Sequence, residues 1–270
     1  MSATTTGSRL GWAARDAWAL TRRELGHLQH QPGELIGVVA FPGVMVLLFG
    51  YVFGSAIQVP GGGNYREYLM PGLFAMTALT GVLANALLVS KDVAGGVLDR
   101  FRSMPMARSA VPLGRLLTDL LTSVVALAII TLIGLATGWQ PHRGIGPAAA
   151  AFGLILLLRF ALSWAGVLIG LSVTPEAADT LVPLVFPLSM LSNSFVPTGA
   201  MPGWLRLISE WNPLSALVQA CRQLFGNPAA VPAHPSLPVE HPYLFTLGWS
   251  GLLLAVFVPL AVRAYVRRDR

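Results

Sequence analysis

The ionisable residues inside long apolar runs are the first candidates for chemistry in this sequence. Arg159 interrupts an apolar run near 147–172, and Arg115 and Asp119 stand four residues apart at the start of an earlier run. An arginine within a membrane is costly, so it either serves a function, reaches the interface or hydrogen-bonds helix carbonyls. Residues four apart share one helix face, which predicts an Arg115–Asp119 ion pair. The runs contain no pair of carboxylates, so nothing supports proton or sodium coupling through buried acids.

Polar and aromatic residues within the apolar runs form a second group of candidates. Asn85 lies in one run. Ser192, Asn193 and Phe195 belong to the SNSF stretch, which has the highest density of polar residues in these runs. Polar side chains in such places either hydrogen-bond between helices or line a substrate path. Both interpretations stay open. The candidate substrate path consists of Asn85, Arg159, Ser192, Asn193 and Phe195.

Motifs of soluble catalysis are absent from the sequence. Lys91 is the only lysine and follows Ser90, so the phosphate-binding pattern GxxxxGK[ST] does not occur. The patterns HExxH and GxSxG are also missing, and the five histidines show no metal-ligand grouping. The single cysteine, Cys221, excludes an internal disulfide. The sequence therefore predicts no catalytic residue, no metal and no cofactor on this chain.

The composition places these residues in a membrane. The 270-residue chain is 54% hydrophobic and 11% charged, whereas soluble domains carry about 25% charged residues. Too few polar groups remain to cover a globular surface, so lipid must cover much of it. The net charge of +6 is spread between the hydrophobic runs. This spread predicts contact with membrane lipids and argues against a nucleic-acid partner.

Six runs are long enough for membrane-spanning helices, since about 20 apolar residues cross the hydrocarbon core. They cover residues 35–57, 69–90, 113–138, 147–172, 180–197 and 243–264. With the N-terminus inside, the inner segments hold thirteen Arg and Lys residues and the outer segments hold four. This asymmetry predicts cytoplasmic termini. We therefore expect an all-α integral membrane protein with one domain over residues 1–270.

Three segments outside the spans are amphipathic. Residues 9–28 combine apolar residues at helical spacing with tryptophan and arginine, which predicts an interfacial helix. Residues 91–112 form the longest cytoplasmic loop, which is either a solvated connector or a docking surface for a soluble partner. Residues 198–242 predict a re-entrant helical hairpin in the outer leaflet, because its apolar helices are too short to cross. The hairpin is marked by Pro202, Trp204, Asn212 and Pro213.

Two stretches resemble the permease subunits of ABC type-2 exporters. Within 91–121, the pattern L-x-R-x-R-x-x-P is present as Leu98, Arg100, Arg102 and Pro105. Within 175–224, the proline and polar positions of the family signature follow in the expected order. The pattern is similar to the daunorubicin-resistance type of permease, and the resemblance covers nearly the whole chain. In many relatives the loop begins with Glu, where this chain has Asp92.

The resemblance implies a mechanism and partners. Such a permease would act with a second permease copy or paralogue and with two ABC ATPase subunits, which would bind ATP and Mg²⁺. The 91–105 helix would couple nucleotide-driven motion to the spans, and a short loop at Glu176 would also face the ATPase. The coupling residues would be Asp92, Leu98, Arg100, Phe101, Arg102, Pro105 and Glu176. The cargo would be an amphiphilic, drug-like or lipid-like molecule that leaves the cytoplasm or inner leaflet across a bacterial plasma membrane.

Three other functions stay open. A glycan or glycolipid exporter of the same family would have a wide aromatic-lined channel, whereas the aromatic residues here are scattered. A membrane assembly protein would carry no flux. An intramembrane enzyme is disfavoured by the missing catalytic motifs.

Overall fold

The computed structural model describes residues 43–52, 54, 59, 62, 64–97, 110–229, 231 and 235–267. All regular structure in these residues is helical. In chain order the helices are α1 (Gly43–Val52), α2 (Tyr65–Ala94), α3 (Ala110–Ala136), α4 (Ile145–Ser172), α5 (Pro175–Leu181), α6 (Val185–Met190), α7 (Gly203–Trp211), α8 (Pro213–Phe225), α9 (Leu237–Glu240) and α10 (Pro242–Arg267).

Four helices in the described part of the chain are long and apolar enough to cross a membrane. They are Tyr65–Ala94, Arg115–Ala136, Ile145–Ser172 and Pro242–Tyr265, at the places of the predicted second, third, fourth and sixth spans. Helix α1 covers part of the predicted first span and ends in a π-helical segment, Leu48–Val52. The rest of that span and the predicted interfacial helix 9–28 lie outside the described residues. The total of six spans therefore stays a prediction.

The predicted fifth span, 180–197, coincides with an interrupted helical path. Helix α5 begins at Pro175, a 3-10 turn at Val182–Leu184 follows it, and α6 ends at Met190. Pro183 and Pro187 remove N–H donors and restrict the residues before them, so a regular α-helix cannot continue through this path. After α6 the chain makes a turn, and other helices supply hydrogen bonds to its carbonyls.

Helices α2 and α4 form the centre of the bundle, because glycines let their backbones approach closely. A Cβ at Gly170 would lie 2.5 Å from the Ala86 carbonyl oxygen, and one at Gly166 would overlap the Val82 carbonyl. Glycines four residues apart on one face allow this close approach between membrane helices. Helix α10 packs against α4. Helices α3 and α10 leave most of their apolar surface exposed, which suits contact with lipid.

An aromatic cluster joins the end of α3 to α2, α4 and α8. Its ring centroids are between 5.1 and 5.7 Å apart, within the range of favourable edge and tilted contacts. The rings belong to Phe74, Trp139, Phe152 and Phe225. The Trp139 indole Nε1 donates to Asn227 Oδ1 at 2.9 Å, so the buried indole N–H is satisfied. The cluster fixes the α3–α4 connection against α8.

Candidate functional site

A buried ion pair joins α3 and α4. Arg159, near the midpoint of α4, donates from Nη2 to Asp119 Oδ1 at 2.6 Å and from Nε to Asp119 Oδ2 at 3.0 Å. The Ser163 hydroxyl donates to Asp119 Oδ2 at 3.0 Å. The arginine and aspartate side chains are only 8% and 10% exposed. The two-pronged geometry satisfies both carboxylate oxygens, which offsets much of the cost of burying two charges.

The remaining guanidinium nitrogen of Arg159 binds α2. Nη1 donates to the Thr77 carbonyl and lies 3.4 Å from Thr80 Oγ1, so the side chain hydrogen-bonds a helix carbonyl, which is one of the alternatives left open by the sequence. Gly81 provides the space, since a Cβ there would lie 3.1 Å from Arg159 Cζ. Asn85, also buried, donates from Nδ2 to the Gly81 carbonyl at 2.8 Å. Arg159 and Asn85 therefore both contact the same turn of α2.

The predicted ion pair between Arg115 and Asp119 is wrong. Arg115 Nη1 instead donates to Asp92 Oδ2 on the last turn of α2, and the carboxylate of Asp119 binds Arg159. The side chains of Arg115 and Asp92 are 24% and 25% exposed, so this pair is closer to solvent than the buried pair. Helix α3 therefore presents two charges, one turn apart, that bind two different helices.

A second buried arginine, Arg222 of α8, binds the turn that follows α6. Its Nε and Nη2 donate to the Tyr68 carbonyl at 3.1 and 3.0 Å. Nη2 also donates to the carbonyls of Asn193 at 2.9 Å and Ser194 at 3.2 Å. Its guanidinium carbon lies 3.5 Å from the centroid of the Tyr68 ring, which is a cation–π contact. Carbonyl dipoles and one aromatic ring thus stabilise this charge.

The turn at residues 191–196 contains three of the predicted substrate-path residues. They are Ser192, Asn193 and Phe195, and all three are buried against neighbouring elements. The hydroxyl of Tyr65 donates to the Phe195 carbonyl at 2.7 Å, and that of Tyr68 donates to the Asn193 carbonyl at 2.9 Å. This turn lies apart from the Arg159 network, because Asn193 and Phe195 contact the start of α2 whereas Arg159 contacts its middle. A role in a substrate path stays a prediction.

Helices α7 and α8 form a short hairpin that turns at Asn212. The Asn212 carboxamide oxygen accepts from the Leu214 N–H at 2.9 Å, and Pro213 occupies the first turn of α8, so both residues favour a helix start here. Pro202 stands just before α7. An exposed apolar stripe follows three- and four-residue spacing on α7: Trp204, Leu207, Ile208 and Trp211. Its insertion into the outer leaflet stays a prediction.

Two of the predicted coupling residues, Asp92 and Glu176, are in the described part of the chain. Leu98, Arg100, Phe101, Arg102 and Pro105 lie outside it. Helices α2 and α4 are parallel, since Phe74 meets Phe152 and Ala86 meets Gly170, so Asp92 and Glu176 stand at the same end of the bundle. The pKa of the exposed Glu176 carboxyl is lowered because its own backbone N–H and the Thr174 hydroxyl donate hydrogen bonds to it.

The sequence did not predict the buried contacts of Arg222 or the ion-pair partner of Arg159. From the sequence, Arg222 is one of the four basic residues of the outer segments and a position of the family signature within 175–224, and neither property predicts its buried contacts, although the residue interrupts the apolar helix PLSALVQACRQLF. A charge surrounded by apolar residues at helical spacing was the available signal. Among the described residues, no three His, Cys, Asp or Glu side chains are grouped closely enough to hold a metal ion. The Arg115–Asp92 and Arg159–Asp119 pairs and the Arg222 contacts each join residues of different helices.

Comparison with known proteins finds one family model and several similar permeases. Residues 15–225 match the family model described as ABC-2 type transporter. Over 249 residues the chain is 31% identical to the daunorubicin resistance ABC transporter permease protein DrrB1 of Streptomyces coeruleorubidus, with 92% of this chain and 84% of that protein covered. It is 27% identical to the doxorubicin resistance ABC transporter permease protein DrrB of Mycobacterium tuberculosis, with 93% and 88% covered.

Proposed function

Because this multi-pass membrane protein belongs to the ABC-2 type transporter family, we propose that it is the permease subunit of an ATP-driven exporter. The observation that carries the proposal is the similarity, over most of both chains, to permeases named for daunorubicin and doxorubicin resistance. We propose an amphiphilic, drug-like or lipid-like cargo that leaves the cytoplasm or the inner leaflet. The four long apolar helices and the charge pair buried between two of them support a role within the membrane.

The energy source of this exporter lies on other chains. The sequence has no phosphate-binding loop, so ATP and Mg²⁺ bind to two ABC ATPase subunits, and a second permease copy or a paralogue completes the membrane part. The ATPase contacts the end of the bundle where Asp92 and Glu176 stand. The exposed Glu176 carboxylate is charged near neutral pH, and its lowered pKa extends this charge to more acidic pH, which suits a basic surface on the partner.

The permease lies in a bacterial plasma membrane with both termini in the cytoplasm. The thirteen-to-four distribution of basic residues supports this orientation. It places the α7–α8 hairpin on the outer side. The stripe that begins at Trp204 and ends at Trp211 then meets the outer leaflet, where tryptophan side chains favour the headgroup region.

Co-expression with a candidate ABC ATPase from the same genome tests the proposed function. We expect the two proteins to copurify in detergent and the complex to hydrolyse ATP faster when doxorubicin is added. The matched control is the same complex with an ATPase subunit that cannot hydrolyse ATP. A complex that forms but moves no doxorubicin or fluorescent lipid across vesicles would support a membrane assembly protein instead. If no ATPase of that genome bound the chain, the proposed mechanism would be wrong.

A further inference from the structure

The loop between α2 and α3 is tied at its two ends. Asp92 lies two residues before α2 ends, and Arg115 lies five residues after α3 begins. The Arg115 guanidinium donates directly to the Asp92 carboxylate. We propose that this ion pair is a clamp that makes α2 and α3 move together when the loop is displaced. The inference rests on the proposed function, because an ATPase that acts on the loop is what would displace it.

The clamp gives Asp92 a different role from direct contact with the ATPase. Its carboxylate binds a residue of the same chain, so Asp92 acts through Arg115 as a positioning residue. Without the clamp, a displaced loop could bend at Gly95 and Gly96, where the structure already departs from the helix and Gly96 has φ of 64°. Glycine adopts this left-handed backbone without a steric penalty. Motion would then be absorbed in the loop instead of reaching the helices.

Helix α3 needs such a clamp because its packing against the bundle is sparse. Most of its apolar surface is exposed, and Arg115 and Asp119 make the ion pairs that join it to α2 and α4. These two residues are separated by one helical turn, or about 6 Å along the axis. A displacement of α3 at Arg115 is therefore transmitted through a rigid turn to Asp119, and from there to Arg159 of α4.

The two ion pairs differ in how easily they can open. The Arg115 and Asp92 side chains of the clamp are 24% and 25% exposed, whereas the side chains of the Asp119–Arg159 pair are 8–10% exposed. Water can replace the partner of a partly exposed charge at modest cost, but a buried charge that loses its partner is strongly destabilised. The clamp is thus the weaker of the two contacts, so it can be removed by substitution without unfolding the bundle, and the buried pair is the fixed anchor between α3 and α4.

Charge exchange tests the clamp in proteoliposomes that contain the permease and its ATPase. We compare Asp92→Asn, Arg115→Gln and the exchanged pair Asp92→Arg with Arg115→Asp. The readout is doxorubicin transported per ATP hydrolysed. Either single variant is expected to lower this ratio about fivefold, at the lower end of usual coupling factors, and the exchanged pair is expected to restore much of it. The control is Arg143→Gln, which neutralises an exposed charge in the connection at the other end of α3.

A distance measurement tests the same clamp without any transport. Spin labels at the exposed positions Ala94 and Leu117 report the separation of α2 and α3, because the native Cys221 is fully buried. We expect a narrow distance distribution in the unaltered pair, a broad one with Asp92→Asn, and a narrow one after exchange. Equal widths in all three proteins would overturn the clamp. Normal transport by both single variants would also overturn the clamp, and so would a loss of transport that the exchanged pair does not restore. If the unaltered protein transported no doxorubicin, only the proposed function would be rejected.

Discussion

Removal of the Asp119 carboxylate should strongly destabilise the protein. Asp119→Leu takes away both ion-pair hydrogen bonds of Arg159, at 2.6 and 3.0 Å, and leaves a buried cation with only its contacts to Thr77 and Thr80. A buried charge that loses its partner typically costs about 3–5 kcal/mol. Each kcal/mol lowers Tm by roughly 2–4 °C in chains of comparable size. We therefore expect Tm to fall by about 10 °C.

The double variant Asp119→Leu with Arg159→Met separates charge burial from packing. Replacing both charges with apolar side chains of similar volume is often neutral, so the double variant should recover most of the lost stability. The assay is size-exclusion chromatography of detergent-purified protein after heating at one fixed rate. Asp179→Leu, at an exposed acid of α5, is the control and should change little. If Asp119→Leu melted like this control, or if the double variant melted as low as Asp119→Leu, the reasoning would be refuted.

Three further substitutions test other parts of the structure. Gly170→Leu should abolish folded monodisperse protein, because its Cβ would lie 2.5 Å from the Ala86 carbonyl oxygen, whereas Gly153→Leu in the same helix meets open space and should be tolerated. Arg222→Lys should lower the free energy of unfolding by about 2–3 kcal/mol, since a lysine ammonium cannot reproduce the guanidinium's hydrogen bonds to three carbonyls. An equal Tm for Arg222→Lys and the exposed control Arg143→Lys would contradict this. Trp139→Phe removes the donor to Asn227 Oδ1 and should lower stability by about 1 kcal/mol, measured as a Tm shift of a few degrees.

Much of the membrane fold can be predicted from the sequence, because apolar length is a local property. The runs at 69–90, 113–138, 147–172 and 243–264 match long helices in the structure within several residues. The run at 180–197 is different, since Pro183 and Pro187 interrupt it and the helical path ends at Met190. Hydropathy alone measures how apolar a stretch is and does not measure whether its backbone can remain helical.

The charged networks were harder to predict because their partners come from other helices. The spacing of Arg115 and Asp119 correctly places both residues on one face, but each side chain finds a better partner across the helix interface. Arg159 was identified as a candidate from its position in an apolar run, while its bond to Asp119 joins residues 40 positions apart. Likewise, Asn193 and Arg222 are 29 positions apart. Such long-range pairings depend on how the helices pack, which residue spacing does not encode.

The central claim is that this chain moves an amphiphilic cargo with energy from a partner ATPase. The most direct measurement is doxorubicin uptake into proteoliposomes that contain the permease and the ATPase. The complex is inserted so that the ATP-binding face of the ATPase is outside the vesicle. We predict that doxorubicin accumulates in the lumen with ATP and Mg²⁺, but not with a non-hydrolysable ATP analogue and not without the permease. ATP hydrolysis by a stable complex with no permease-dependent accumulation of doxorubicin or of a fluorescent lipid would contradict the account.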